Sequence, residues 1–280
     1  MKKRVLTFRQ LKGFEQYLRE MERSDATVEK YLRDVRLFVS FAGEEEPSRS
    51  LLVRFKEALG ERYTVAGAKS MLAALNCFLR FCGFSELCVK RFKMQRAVYC
   101  SEEKELTQKE YVRLVETARA EGNGRLALLL QTVCSTGIRV SELPYITVEA
   151  ARRGEAVVRC KGKTRRVFLL PELRQRLQRY AEERGIGSGS LFLTRGGRPM
   201  SRNQVWKEMK ALSLRAGVAP GKVFPHNLRH LFARSFYAIE RDIAKLADIL
   251  GHASINTTRI YIVSTGAEHR KKLSRMRLLI

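Results

Sequence analysis

The chain has 280 residues, 45% of them hydrophobic and 30% charged, a composition typical of a folded globular protein and not of a disordered one. Its 54 Lys and Arg residues outnumber 29 Asp and Glu residues, so the formal net charge is +25. This excess indicates a polyanionic partner, usually nucleic acid, although ribosomal and membrane-surface proteins share it.

The sequence pattern of the first third of the chain predicts a bundle of about four helices. Apolar residues recur there at helical spacing over 11–21, 28–39, 51–59 and 71–79. Ser24 and Asp25 are placed to cap the second helix, and Gly60 to end the third. We interpret these stripes as the core of a domain over 1–89, and not as a ligand site.

A polar segment without periodicity follows over 90–104 and is predicted to be a linker between domains. It is strongly basic at first, and Lys90, Arg91, Lys93 and Arg96 are its candidate contacts to a polyanionic partner. The alternative is that this charge run only faces solvent.

A second, mostly helical domain is predicted over 105–264. Thr107 and Glu110 are spaced as a capping box, as are Ser201 and Gln204. An apolar run over 126–133 predicts a helix that ends near Gly137, and helical spacing returns over 227–261 with a break at Gly251.

Two strand-like runs, 156–160 and 166–170, flank Lys161-Gly162-Lys163-Thr164. They predict a β-hairpin with a basic turn. A short strand is also predicted over 191–193. The fold class expected is therefore mostly α with a small antiparallel sheet in the C-terminal domain.

Localisation is predicted from what the sequence lacks. No stretch approaches the roughly 18 apolar residues of a membrane helix, and no apolar signal core follows the basic N-terminus. The six cysteines form no CxxC pair and have no Cys/His spacing typical of a metal site. We expect a cytoplasmic protein with reduced thiols, no metal and no cofactor.

The second domain carries the candidate chemistry. If residues 226–229 are helical, His226 and Arg229 lie on the same face of that helix. His252 directly follows Gly251, and Tyr261 comes nine residues after His252. Guanidinium, imidazole and phenol groups can bind a phosphate, move protons and attack. Taken singly, each residue has a structural explanation, such as a core aromatic for the tyrosine. His230 is expected to point elsewhere, as a surface or packing residue.

Arg139 lies in Thr136-Gly-Ile-Arg-Val-Ser-Glu-Leu143, with Glu142 one helical turn on. It could grip a phosphate while Glu142 fixes its side chain, or it could be an ordinary ion-pair partner of Glu142.

Together these motifs closely resemble the tyrosine recombinase family of lambda-integrase and Xer type. The resemblance rests on TGIRVSEL, KGKTRR, HNLRH and LGH…TTRIY, and it covers about 106–261. It implies a two-domain DNA clamp, with a helical core-binding domain before the catalytic domain. The site residues that it implies are Arg139, Arg229 and His252 on the phosphate, Tyr261 as nucleophile and His226 assisting its deprotonation.

The resemblance also implies a general acid from the hairpin turn. Lys163 fits the family pattern better, and Lys161 is the alternative; either lysine could instead only contact phosphate, as Arg165 is expected to do.

The resemblance further implies partners and an activity. They are double-stranded DNA with a short inverted-repeat core, a homo-tetramer on synapsed DNA that is monomeric when free, and a nucleoid-associated location. A tail helix over 265–280 would exchange between protomers or fold back on its own domain.

The expected activity is site-specific strand exchange through a covalent 3′-phosphotyrosine, without metal or ATP. The alternatives are a type IB-like topoisomerase and a non-catalytic architectural DNA-binding protein. The bundle begins by about Thr7, which favours an Xer-like or mobile-element layout, with chromosome-dimer resolution and mobile-element integration both open.

Overall fold

The computed structural model describes residues 6–93, 102–160, 163–262 and 274–275. The chain divides into two compact units, Met1–Arg96 and Ala97–Ile280. Each unit has a hydrophobic core of its own. The division falls within the predicted linker, of which residues 94–101, including Arg96, lie outside the described residues.

The first unit is built on four helices, as predicted. Its core is rich in aromatic rings: Phe14 contacts Phe78 edge-on with ring centroids 5.1 Å apart, and Phe38 contacts Phe55 in the same way at 5.1 Å. Such edge-to-face pairs add to the stabilisation from burial alone. The helices are α1 (Gln10–Glu20), α2 (Asp25–Ala42), α3 (Arg49–Arg62) and α4 (Val65–Phe81).

The prediction that Gly60 ends the third helix is wrong. Helix α3 continues through Gly60 to Arg62, where Tyr63 turns extended and Thr64 caps α4 through its hydroxyl. Ser24 stands at the N-cap position of α2, but its hydroxyl lies 2.9 Å from the Thr27 hydroxyl and makes no capping bond to the backbone.

The second unit holds the remaining helices, and both predicted capping boxes are confirmed. Helix α6 packs against α5 and α10, and it carries buried apolar residues on every side. This packing brings the C-terminal end of α6 next to α10. The helices are α5 (Gln108–Ala120), α6 (Gly124–Thr136), α7 (Val148–Arg153), α8 (Pro171–Glu183), α9 (Arg202–Arg215), α10 (Pro225–Glu240), α11 (Ile243–Leu250) and α12 (Ile255–Arg259).

The predicted hairpin exists, with shifted bounds. Strands β1 (Glu155–Cys160) and β2 (Lys163–Phe168) pair antiparallel, with Val158 opposite Arg165. Lys163 and Thr164 therefore belong to the strand and not to the turn, whereas Lys161 lies outside the described residues. The strand predicted over 191–193 is wrong, because Leu193 forms only an isolated bridge with Pro199.

The fold class is as expected: mostly helical, with one small antiparallel sheet among the described residues. Within the same residues no helix has the length and apolarity to cross a membrane. The linker residues Lys90, Arg91 and Lys93 are exposed. The predicted tail helix lies outside the described residues, apart from Ser274 and Arg275.

Candidate active site

Arg139 is held at the point where α6 gives way to a short 3₁₀ helix, Val140–Tyr145. Its backbone N–H donates to Glu142 Oε2 at 2.9 Å, and its Nη1 donates to Glu142 Oε1 at 2.9 Å. The predicted contact with Glu142 is present. Because two bonds to one carboxylate fix both backbone and side chain, the guanidinium is positioned before any ligand arrives.

Glu142 is almost completely buried and carries a second cation, Arg165. Arg165 Nη2 donates to Glu142 Oε2 at 2.6 Å, and its Nη1 donates to the Ile249 carbonyl at 2.8 Å. Burial alone would raise the pKa of Glu142, but bonds to Arg139 and the charge of Arg165 outweigh it and lower this pKa. Glu142 is therefore ionised and joins Arg139 to Arg165 of the hairpin, and Arg165 in turn bonds to the end of α11.

Arg165, a predicted DNA contact, is occupied by protein acceptors in this structure. Its side chain is only 13% exposed and is used by Glu142 and Ile249. The aliphatic part of Arg165 also passes beside Gly251, where a Cβ would come within 2.5 Å of Arg165 Cδ. Arg165 is thus built into the site as a support for the loop that carries His252.

Arg229 occupies the centre of the site and is 1% exposed. It donates to the Gly137 carbonyl through Nη1 and to the Leu250 carbonyl through Nη2 at 2.7 Å. Burial, with the charge of Arg139 next, lowers its pKa to about 10, so the guanidinium stays charged at neutral pH. Arg139 and Arg229 line one cavity of about 530 Å³ together with His226. His226 and Arg229 share a face of α10, as the helical spacing predicted.

His252 is oriented from both ring nitrogens. Its Nε2 lies 2.9 Å from Arg229 Nη2, and its Nδ1 lies 2.8 Å from Thr258 Oγ1. Because guanidinium can only donate, Nε2 is the acceptor and Nδ1 carries the proton. Burial, followed by the charge of Arg229, lowers the pKa of His252 to about 4. Burial and the arginines therefore keep this imidazole neutral, and Thr258, which the sequence did not single out, fixes its tautomer and orientation.

Tyr261 is buried in the same cluster, at 5% exposure. Its ring centroid lies 5.2 Å from that of His226, 5.2 Å from that of His252 and 4.3 Å from that of His230. The Arg229 guanidinium carbon is 5.8 Å from the ring centre. The structure thus brings together Arg139, His226, Arg229, His252 and Tyr261 within one unit of one chain.

The expectation for His230 is wrong in direction: it points at the tyrosine and not away from it. Its ring packs on Tyr261, and its Nδ1 lies 3.8 Å from Glu105 Oε1. Burial, then His226, lowers the pKa of His230 to about 4. The sequence does indicate that His230, beside Arg229 on a largely buried helix, packs against another part of the chain. It does not indicate that this part is Tyr261, because that depends on where the chain after α12 lies in the fold.

The hairpin lysines stay unassigned. Lys163 lies at the start of β2, opposite Cys160, and its side chain is outside the described residues, as is all of Lys161. The choice between them as general acid remains a prediction.

Comparison with known proteins agrees with this geometry. The family model described as "Phage integrase family" matches residues 104–268, and "Phage integrase, N-terminal SAM-like domain" matches residues 11–82. The first model alone covers more than half of the chain. The chain belongs to the phage integrase family.

Relatives of this integrase are tyrosine recombinases. Tyrosine recombinase XerA of Pyrococcus furiosus is 28% identical over 289 aligned residues, spanning 100% of this chain and 98% of the relative. Tyrosine recombinase XerD of Brucella suis is 40% identical over 147 residues, spanning 49% of this chain and 47% of the relative.

Solved structures share the fold of this integrase. A XerH site-specific recombinase bound to its difH substrate has a TM-score of 0.70 at 20% identity, covering 96% of this chain and 84% of that one. A lambda integrase tetramer bound to a Holliday junction has a TM-score of 0.72 at 17% identity, covering 92% and 78%. At these identities the likeness concerns the fold.

Gly137 offers a stability test, because it both ends α6 and supplies a carbonyl to Arg229. It has φ +62°, and a Cβ there would lie 2.4 Å from Phe232 Cδ1. We expect Gly137→Ala to lower the free energy of unfolding by about 3 kcal/mol, from the left-handed backbone and the clash together. Gly122→Ala is the matched control, since Gly122 has φ +69° with no atom near its Cβ position.

Urea unfolding at pH 7.5 separates the two variants of this integrase: Gly122→Ala should cost about 1 kcal/mol. Equal losses in both variants would mean that Phe232 moves aside at no cost.

The three clustered histidines predict a pH-dependent stability. Burial and neighbouring arginines lower the pKa of His226, His230 and His252 in the fold. In the unfolded chain each has a pKa near ~6.5. The unfolded state therefore takes up protons first, and stability, complete above about pH 6.5, should fall as pH drops toward the folded values.

Thermal unfolding between pH 7.5 and 5 measures this effect, in a window above the titration of Glu142. His230→Phe, which removes one titrating ring, should give a shallower fall than the wild-type integrase. A melting temperature that stays level down to pH 5 would contradict the prediction.

Proposed function

We propose that this integrase is a site-specific DNA recombinase that breaks and rejoins DNA strands through a covalent 3′-phosphotyrosine on Tyr261, without metal or ATP. The observation that carries the proposal is the buried Tyr261 ring in contact with Arg229 and three histidines. A phenol, two guanidinium groups and neutral imidazoles in one cluster suit transfer of a phosphodiester to tyrosine.

Phosphate binding falls to Arg139 and Arg229. Both are held by protein acceptors before DNA binds, so their N–H groups need little reorganisation when charge builds up on the phosphorane oxygens. His252, whose Nε2 lies 2.9 Å from Arg229 Nη2, is the third proposed phosphate-stabilising residue beside these two arginines.

Deprotonation of Tyr261 falls to His226. A phenol has a pKa near ~10 and needs a proton acceptor at neutral pH. Burial, then the charges of Arg229 and Arg139, lowers the pKa of His226, so its imidazole is neutral and able to accept.

In the strand-cleavage step, Tyr261 Oη attacks the phosphorus and the bond to the 5′ oxygen breaks. The phenol proton passes to His226, and Lys163, or Lys161 as the alternative, supplies the proton for the leaving 5′-hydroxyl. Because the phosphotyrosine keeps a phosphodiester bond, attack by a 5′-hydroxyl of another strand reverses the step without ATP.

The proposed assembly is a homo-tetramer on two synapsed duplexes, each with an inverted-repeat core, formed from protomers that are monomeric when free. Related integrases have been solved as a dimer on a core site and as a tetramer on a Holliday junction. We propose a clamp formed by the units over 1–89 and 105–264, with Lys90, Arg91, Lys93 and Arg96 of the linker as salt-sensitive phosphate contacts.

The proposed tail over 265–280 links neighbouring protomers. The proposed location is the cytoplasm, in association with the nucleoid.

The test is capture of the covalent intermediate. The purified protein is incubated with a pool of nicked suicide duplexes that carry a randomised inverted-repeat core, and complexes stable in SDS are recovered and sequenced. We expect a single core sequence to be enriched and the adduct to map to the Tyr261 peptide. Absence of any SDS-stable adduct would contradict the proposal.

Two further assays separate the alternatives. Relaxation of supercoiled plasmid without a core sequence would favour a type IB-like topoisomerase. Tight DNA binding with no adduct would favour an architectural protein.

A further inference from the structure

Trp206 is the single tryptophan of the chain and is not used by the chemistry described above. It lies on α9 with its side chain 48% exposed. A half-exposed indole can still bury a large apolar area against a ligand, because aromatic side chains gain much from burial. Its position is informative: Trp206 lines the same cavity as Arg139, His226 and Arg229.

That cavity has two chemically different sides. Its polar side carries the cations Arg139, Arg202 and Arg229, of which Arg139 and Arg229 are the proposed phosphate ligands, together with Ser141 and His226. The rest of the lining is apolar and serves no anion: Ile138, Val140, Trp206, Phe224 and Pro225. A phosphate alone would leave this apolar lining in water.

A scissile phosphate never arrives alone, because a deoxyribose and its base adjoin it on each side. Deoxyribose presents an apolar face, and a base presents a π-face that packs on aromatic rings. The apolar lining continues directly from the phosphate-binding residues. Its natural occupant is therefore the nucleoside next to the phosphate that Arg139 and Arg229 hold.

The indole is braced for such a contact. Lys210 Nζ lies 5.5 Å from the centre of the Trp206 ring and 5.7 Å from that of Phe224, and it donates to the Pro220 carbonyl. A cation over an aromatic face is attracted to it. Lys210 thus ties α9 to the segment before α10 and limits rotation of the indole.

We propose that Trp206 binds the deoxyribose and base of the nucleotide that adjoins the scissile phosphate, and so sets the position of that phosphate relative to Tyr261. This proposal rests on the proposed function. It adds a binding residue that recognises the nucleoside and not the phosphate.

The first test uses the fluorescence of the intact protein, since all tryptophan emission comes from Trp206. Tyr261→Phe protein is titrated with the duplex recovered in the adduct selection, while anisotropy of a labelled duplex reports binding independently. We expect the emission to change with the same midpoint as the anisotropy. Saturated binding with unchanged emission would overturn the proposal.

The second test compares two truncations on the same helix. Trp206→Ala should slow single-turnover adduct formation on the order of 10- to 100-fold, and Trp206→Phe should recover most of that loss. Leu214→Ala is the matched control, because Leu214 is 71% exposed on α9 and does not line the cavity; it should react as the wild type does.

The outcomes for Trp206 and for the proposed function are distinguishable. If the wild type forms the adduct and Trp206→Ala forms it within twofold of the same rate, the role of Trp206 is refuted and the recombinase function stands. If the wild type forms no adduct, the recombinase function itself fails.

Discussion

Tyr261→Phe should abolish covalent capture of DNA while leaving the protein folded and able to bind. Loss of the nucleophilic oxygen leaves no group to form the phosphotyrosine, so the rate should fall on the order of 10⁴-fold or more. The phenyl ring keeps its packing against His226, His230 and His252, whose ring centroids lie 4.3–5.2 Å away. We therefore expect little change in melting temperature.

The measurement is the SDS-stable fraction on the selected suicide duplex, with binding followed in parallel by anisotropy. Tyr237→Phe is the matched control, because Tyr237 packs on the same small cluster of Ala233, Leu246 and Leu250 and carries no proposed chemistry. It should react at the wild-type rate. Residual adduct in Tyr261→Phe would place the nucleophile elsewhere in the chain.

The helices were predictable where local signals agree with packing. The capping boxes at Thr107 and Ser201 fix helix starts because the reciprocal bonds depend on residues three apart. Gly60 misled, because a glycine inside a helix costs only about 1 kcal/mol, and α3 continues past it for two exposed residues to Arg62. The apolar run 191–193 looks like a strand but has no partner strand to pair with among the described residues. Its only β-bridge there is the isolated one between Leu193 and Pro199.

The site was predictable as a set of residues and not as a set of contacts. Spacing alone places His226 and Arg229 on one face of a helix. Neighbouring strand residues point to opposite faces, so the hairpin sequence could not tell whether Arg165 faces DNA or the interior. That depends on Glu142 and Ile249, which are distant in sequence.

Arg229→Lys is the second substitution with a large expected effect, since Arg229 combines two functions. Its guanidinium donates to the carbonyls of Gly137 and Leu250 and to His252 Nε2. It thereby joins the ends of α6 and α11 while presenting charge to the phosphate. A lysine ammonium is a point charge and cannot reach acceptors in this fork-shaped arrangement.

We expect the single-turnover rate of Arg229→Lys at saturating DNA to fall about 10³-fold, as for other guanidinium groups that stabilise phosphoryl transfer. Stability should fall as well, by about 1–3 kcal/mol for each buried carbonyl left without a donor. DNA affinity should change much less, because Arg229 is one of 54 Lys and Arg residues in a chain with only 29 Asp and Glu, and phosphate affinity is shared among many cations.

Arg234→Lys distinguishes the catalytic from the structural contribution of Arg229. Arg234 lies further along α10 and also donates to a backbone carbonyl, that of Leu106, at 2.7 Å, but it does not line the cavity. The Arg234→Lys variant should be less stable than the wild type but should form the DNA adduct at close to the wild-type rate. If both variants lost stability and rate in the same proportion, Arg229 would act only as a structural tie, and phosphate stabilisation would rest on Arg139 alone.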